Sequence, residues 1–129
     1  MDNNTPAVPP TPNTTPTGRI LVVDDDAEFT NRLAEKIKSA GLIPIVMVSG
    51  KEALDYLVTN NVDFIILDFI MPGMDGYTFY HILKHDMRKD IPAIVLTNLS
   101  GGKDTEDLEV FIKTETDLDD LVGRIKTRV

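Results

Sequence analysis

Six polar residues stand where they can do chemistry together. Asp24, Asp25 and Asp26 follow the apolar run Ile20–Val23, and Asp68 follows Val62–Leu67. Thr97 follows Pro92–Leu96, and Lys113 follows Glu109–Ile112. Carboxylates brought close together repel unless a cation neutralises them or some take up protons. A hard divalent ion is the natural partner, and Mg²⁺ suits a few carboxylates completed by water and phosphate oxygens. A hydroxyl and an ammonium opposite those carboxylates add what a phosphoryl group needs. Metal, Thr97 and Lys113 then account for three phosphoryl oxygens, leaving one carboxylate to attack phosphorus and form an acyl phosphate. Asp68 is the candidate nucleophile because it stands alone at the end of a central strand.

That chemistry requires elements that deliver all six residues to one edge. Short β-branched runs such as Ile20–Val23 and Val62–Leu67 suit strands buried on both faces. Between them, Phe29, Leu33, Ile37 and Ala40 recur at helical spacing, with Gly41 as a stop. Leu42–Val48 reads as a second strand, and Pro44 pushes it toward a sheet edge or places itself among the strand's first residues. Ala53, Leu54, Leu57 and Val58 mark a second helix starting near Ser49 or Gly50. Asp75 caps a third helix expected to run to about Met87. Pro92–Leu96 is the fourth strand and Glu109–Ile112 the fifth. Leu118, Leu121, Val122, Ile125 and Val129 line a last helix capped by Asp117 or Thr116. Alternating strands and helices predict an α/β fold, a doubly wound five-stranded parallel sheet. Ligands of such sheets bind beyond the carboxyl ends of the strands, where the six residues are expected.

Composition narrows the rest. The chain has 129 residues, no cysteine and a formal net charge of −8. There is thus no disulfide framework, thiolate metal site or thiol nucleophile, which suits a reducing compartment. A pI near 4.6 argues against direct nucleic-acid binding and against an anionic membrane surface. No apolar run reaches the roughly 18 residues of a membrane span, and no secretory signal is evident. Residues 1–18 are rich in Pro, Thr and Asn and are predicted to be a disordered tail. The folded domain is expected over 19–129.

The stretches ILVVDDDAEF at 20–29, VDFIILDFIMPGMDGY at 62–77, IPAIVLTN at 91–98 and FIK at 111–113 resemble the receiver domain of two-component response regulators. The resemblance implies a flavodoxin-like or CheY-like fold. It implies Asp68 as phosphoacceptor, Asp25 as a direct metal ligand, and Asp24 as a neighbour acting mainly through metal-bound water. Ile70 is implied to offer its backbone carbonyl to the metal. Thr97 resembles the switch hydroxyl, Lys113 the lysine that pairs with a phosphoryl oxygen, and Pro72 and Gly76 the residues that shape the loop. Asp26 sits in a variable position and is not expected to be a ligand. The implied cofactor is Mg²⁺ or Mn²⁺. The implied donor is a sensor histidine kinase or a histidine phosphotransfer protein, and the output is binding to a downstream protein. The chain is expected to be a cytoplasmic, stand-alone phosphoacceptor that assists its own phosphorylation and dephosphorylation rather than an enzyme. It is expected as a monomer or a phosphorylation-dependent dimer.

Three features depart from that pattern. Thr97 and Lys113 are only sixteen positions apart, so the fourth helix is expected to be shortened or replaced by a loop. Val110 stands three before Lys113, where many receivers carry an aromatic, and Phe111 should point to the opposite face. Thr114 stands where the family usually has proline after the lysine, so a trans bond is expected and the loop is expected to place Lys113 differently. Acidic residues also concentrate between Asp104 and Asp120, either as a solvated surface or as a docking patch for a basic partner.

Other residues read more plainly. Met71 and Met74 are expected to pack, since sulfur matches hard cations poorly. His81 and His85 lack an evident third ligand and are expected to be solvated. Two other functions remain. Asp24 and Asp26 have the Asp-x-Asp spacing of a haloacid-dehalogenase-like phosphatase, with Thr97, Lys113 and Asp119–Asp120 in order, but Glu28 stands where that motif wants a hydroxyl. A pseudo-receiver, an interaction module without phosphorylation, fits the altered helix region.

Overall fold

The computed structural model describes residues 18–98 and 108–129. Five strands form one parallel sheet: β1 (Arg19–Val23), β2 (Ile43–Met47), β3 (Phe64–Leu67), β4 (Ala93–Thr97) and β5 (Glu109–Ile112). Their order is β2-β1-β3-β4-β5, and each neighbouring pair is parallel. The described residues carry four α-helices: α1 (Ala27–Ser39), α2 (Gly50–Thr59), α3 (Gly76–His81) and α4 (Leu118–Lys126). The expected tail lies outside the described residues, apart from Gly18, whose carbonyl accepts a hydrogen bond from the Ile43 N–H. The predicted shortened fourth helix falls in 99–107, which also lie outside them.

The alternation of side chains along each strand divides the core in two. Ile20, Val22, Phe64, Ile66, Ile94 and Leu96 face α1 and α4. Leu21, Val23, Ile65 and Leu67 face α2 and α3. Strand β3 and the Ile20–Val23 part of β1 are therefore apolar at every position, as strands covered on both faces must be. Pro44 lies in β2, an edge strand, where a missing donor costs the sheet little.

Helix starts follow their side chains. Asp26 accepts from the Phe29 N–H, Ser49 from Glu52, Asp75 from Thr78, and Asp117 from Asp119 and Asp120. Each satisfies donors that the first helical turn leaves open.

Strands β2, β3 and β4 begin one or two residues later than the sequence reading placed them, and two further boundaries differ in ways that matter to the site and the core. Thr97 is the last residue of β4 rather than the first beyond it, paired in register with Ile112. The α-helical part of the third helix ends at His81 and continues as a π turn, Ile82–Asp86. The wider turn bonds the Met87 N–H to the Ile82 carbonyl, five residues back. Periodicity alone does not reveal that extra residue. It lets Leu83 stay fully buried while Met87 still reaches the same core.

Candidate phosphoacceptor site

The carboxyl edge of the sheet gathers the predicted residues. Asp24 follows β1 and Asp68 follows β3, the adjacent strand. Both are buried, at 3% and 7% exposure, whereas Asp25 is exposed. One carboxylate oxygen from each of Asp24, Asp25 and Asp68 lies within 4.8 Å of the others. Hard oxygen donors at this spacing fit a small divalent cation that keeps part of its water shell. No other group of three or more acidic, histidine or cysteine side chains among the described residues is so arranged.

Lys113 completes the cluster from the opposite edge strand. Its Nζ lies 2.7 Å from Asp24 Oδ2 and 3.1 Å from Asp68 Oδ2. Burial alone pulls the ammonium's pKa down, but Asp24 and Asp68 together hold it above its ordinary value. Asp24 shows the reverse contest. Burial pushes its carboxyl above the ordinary value, although Lys113 and the Asp26 N–H pull it down. Burial thus makes the charged form of Asp24 costly, and a cation beside it favours that form.

Backbone donors set the carboxylates. The Asp26 N–H donates to Asp24 Oδ1 at 2.9 Å, and the Ile70 N–H donates to Asp68 Oδ1 at 3.1 Å. These two-residue turns orient both acids inward. Ile70 is largely exposed beside the site. Thr97 lies at the same edge, fully buried, one strand from Asp68. Gly76 lies under the acceptor loop, its N–H bonded to the Phe69 carbonyl.

The remaining candidates separate cleanly. Asp26 serves as the cap of α1, and the three-carboxylate group does not include it. Met71 is buried and Met74 packs beside it in the core. His81 and His85 are exposed, with ring centroids 4.5 Å apart. The change from proline to Thr114 leaves Lys113 in the site, where a 3₁₀ turn, Lys113–Glu115, begins. Phe111 packs on the α1 and α4 side of the sheet, as alternation requires. One participant was missed. The Phe29 ring centroid lies 4.4 Å from Lys113 Nζ. In the sequence, Phe29 is simply the first apolar residue of the α1 stripe, and no spacing signal separates it from Leu33 or Ile37.

Residues 20–118 match the family model of the response regulator receiver domain. The chain belongs to the response regulator receiver family. This receiver is 34% identical over 88 residues to the heme response regulator HssR of Staphylococcus haemolyticus, covering 68% of this chain and 38% of that protein. It is 37% identical over 86 residues to HssR of Staphylococcus aureus, covering 67% of this chain and 38% of the relative. The chain thus spans well under half the length of these curated relatives. Among solved structures, it resembles the response regulator TrrA of Thermotoga maritima in complex with Mg²⁺ and BeF (TM-score 0.75, 28% identity, 88% of this chain and 100% of that one). TrrA in complex with the histidine kinase ThkA is similar at a TM-score of 0.75 and 29% identity, covering 88% of this chain and 99% of TrrA.

Proposed function

We propose that this receiver accepts a phosphoryl group on Asp68 from a phosphohistidine of a sensor kinase or phosphotransfer protein. One observation carries the reading: Lys113 bridges Asp24 and Asp68 within the same cluster that Asp25 completes. A carboxylate oxygen of Asp68 attacks phosphorus, the phosphorus–nitrogen bond of the donor breaks, and the imidazole leaves with the bonding pair. Asp24, Asp25, Asp68 and the Ile70 carbonyl would hold Mg²⁺ or Mn²⁺, which would neutralise phosphoryl charge. Lys113 and the Thr97 hydroxyl serve the other phosphoryl oxygens. Phosphorylation adds roughly two negative charges, enough to draw Lys113 away from Asp24 and toward the new group.

In this reading the chain assists its own phosphorylation and hydrolysis and turns over no free substrate. Output is partner binding, with the receiver acting in the cytoplasm, monomeric or dimeric on phosphorylation. The acidic surface supports a structural role first. Asp117 caps α4, and Asp119 pairs with Lys36 at 3.0 Å. Asp104, Glu106 and Asp107 lie outside the described residues. The phosphatase alternative needs Asp26 at the reacting centre, but its carboxylate is engaged at the start of α1.

The test is exposure to acetyl phosphate or beryllofluoride with Mg²⁺, comparing wild type with Asp68→Asn by intact mass and size-exclusion chromatography. Wild type gains one phosphoryl group and Asp68→Asn gains none. A modification that persists at another residue in Asp68→Asn overturns the assignment.

A further inference from the structure

We propose that Phe29 is a positioning residue that holds the Lys113 ammonium at the phosphoacceptor. The inference rests on Asp68 being that acceptor. Lys113 has carboxylates on one side and the Phe29 ring at 4.4 Å on the other. An ammonium within about 6 Å of a ring centroid is attracted by the negative face of the π system, more strongly where water is excluded. Both groups are largely shielded from solvent, since Phe29 is 5% exposed and the Lys113 side chain 6%.

The ring is also tied to the acids it opposes. The Phe29 N–H donates to Asp26 Oδ1, and the Asp26 N–H donates to Asp24 Oδ1. A single turn therefore fixes both the nearest anion of Lys113 and its aromatic support. What the ring adds is attraction without direction. A hydrogen bond to Asp24 holds Lys113 at one point, whereas the ring face lets the ammonium pass from Asp24 to a phosphoryl oxygen while staying over the same surface. Arg32, one turn on, places its Cζ 5.8 Å from the same centroid, so the ring lies in a locally cationic setting at the mouth of the site.

The test uses the full chain with Phe29→Met and Phe29→Leu, which keep an apolar side chain, and Phe29→Tyr, which keeps a ring. In metal-free protein, the Lys113 ε-methylene protons of wild type are displaced upfield by the ring current. That displacement disappears in Met or Leu, read in whichever variant retains the folded amide spectrum, and persists in Tyr. With Mg²⁺ and subsaturating acetyl phosphate, the aliphatic variant is phosphorylated roughly five-fold more slowly, and Tyr restores the rate. Equal rates in all variants overturn the proposal, as does a Tyr variant as slow as the aliphatic one, which points to packing alone. Wild type that takes up no phosphoryl group sinks the phosphoacceptor reading instead, while the Lys113 shift still reports whether the ring holds the lysine.

Discussion

Lys113 Nζ lies 2.7 Å from Asp24 Oδ2, although β5 and β1 are separated in the sheet by β3 and β4. The lysine spans the width of the site and acts as its internal cation. Lys113→Ala removes that charge and leaves the acids uncompensated. Mg²⁺ then binds more tightly, by roughly three- to ten-fold, because the ion no longer competes with the ammonium. Phosphorylation by acetyl phosphate slows by at least about ten-fold, since a donor to the phosphoryl oxygens is gone. Calorimetric Mg²⁺ titration and intact-mass kinetics read the two effects, and weaker Mg²⁺ binding contradicts this account.

Burial raises the folded pKa of Asp24 above the ordinary 3.8, although Lys113 and the Asp26 N–H oppose it. A carboxyl whose pKa is raised on folding takes up a proton, so its ionised form costs stability at neutral pH. Asp24→Asn therefore raises the melting temperature of the metal-free protein by roughly 2–5 °C at pH 7. The sign reverses the usual acid effect: wild type regains stability as pH falls through the raised pKa toward 3.8. The gap between the variants narrows over that window. Urea titrations of both proteins from pH 7 downward measure it, and a gap that widens on acidification refutes it.

Asp26 tests the division between cap and ligand. Asp26→Ala costs about 1 kcal/mol through the lost N-cap. Asp26→Asn keeps the cap and the stability. Both retain Mg²⁺ affinity to within about two-fold, since a solvent-screened charge contributes little. A ten-fold loss of Mg²⁺ affinity in the Asn variant makes Asp26 a ligand after all.

Gly76 holds the acceptor loop by having no side chain. A Cβ there lies 2.3 Å from the Asp68 carbonyl oxygen and 3.0 Å from Phe69 Cα, both backbone atoms that cannot rotate away. Gly76→Ala is expected to cost about 2–3 kcal/mol and to slow phosphorylation by at least about ten-fold, because Asp68 moves with its backbone. Gly73→Ala is the contrast. Its φ of +83° disfavours a side chain, but nothing lies within 4 Å, so the cost is about 1 kcal/mol without displacing Asp68. Equal losses at the two positions in urea unfolding count against the steric argument.

Much of this was legible in the linear chain. Continuous apolar runs marked the strands, 3.6-residue spacing marked the helices, and Asp75 and Asp117 stood where helix starts need acceptors. The first polar residue after a buried strand must emerge at its end, so Asp24, Asp68 and Lys113 were assignable to one edge before any coordinates. Pro44 correctly indicated an edge strand, because a missing N–H can be tolerated there.

What the linear chain could not determine depended on contacts between distant segments. The π turn at Ile82–Asp86 arises from how Leu83 and Met87 share one core, which helical period does not encode. Placement of Lys113 without a following proline depended on Asp24, Asp68 and Phe29 meeting it from other elements. The residue types and their order determined which groups reach the sheet edge, because strand ends and caps are local matters. Only the tertiary structure decided which of those groups touch, which lose their water and therefore how strongly each charge is held. Burial and opposing charge are properties of the packed surroundings, and no single segment carries them.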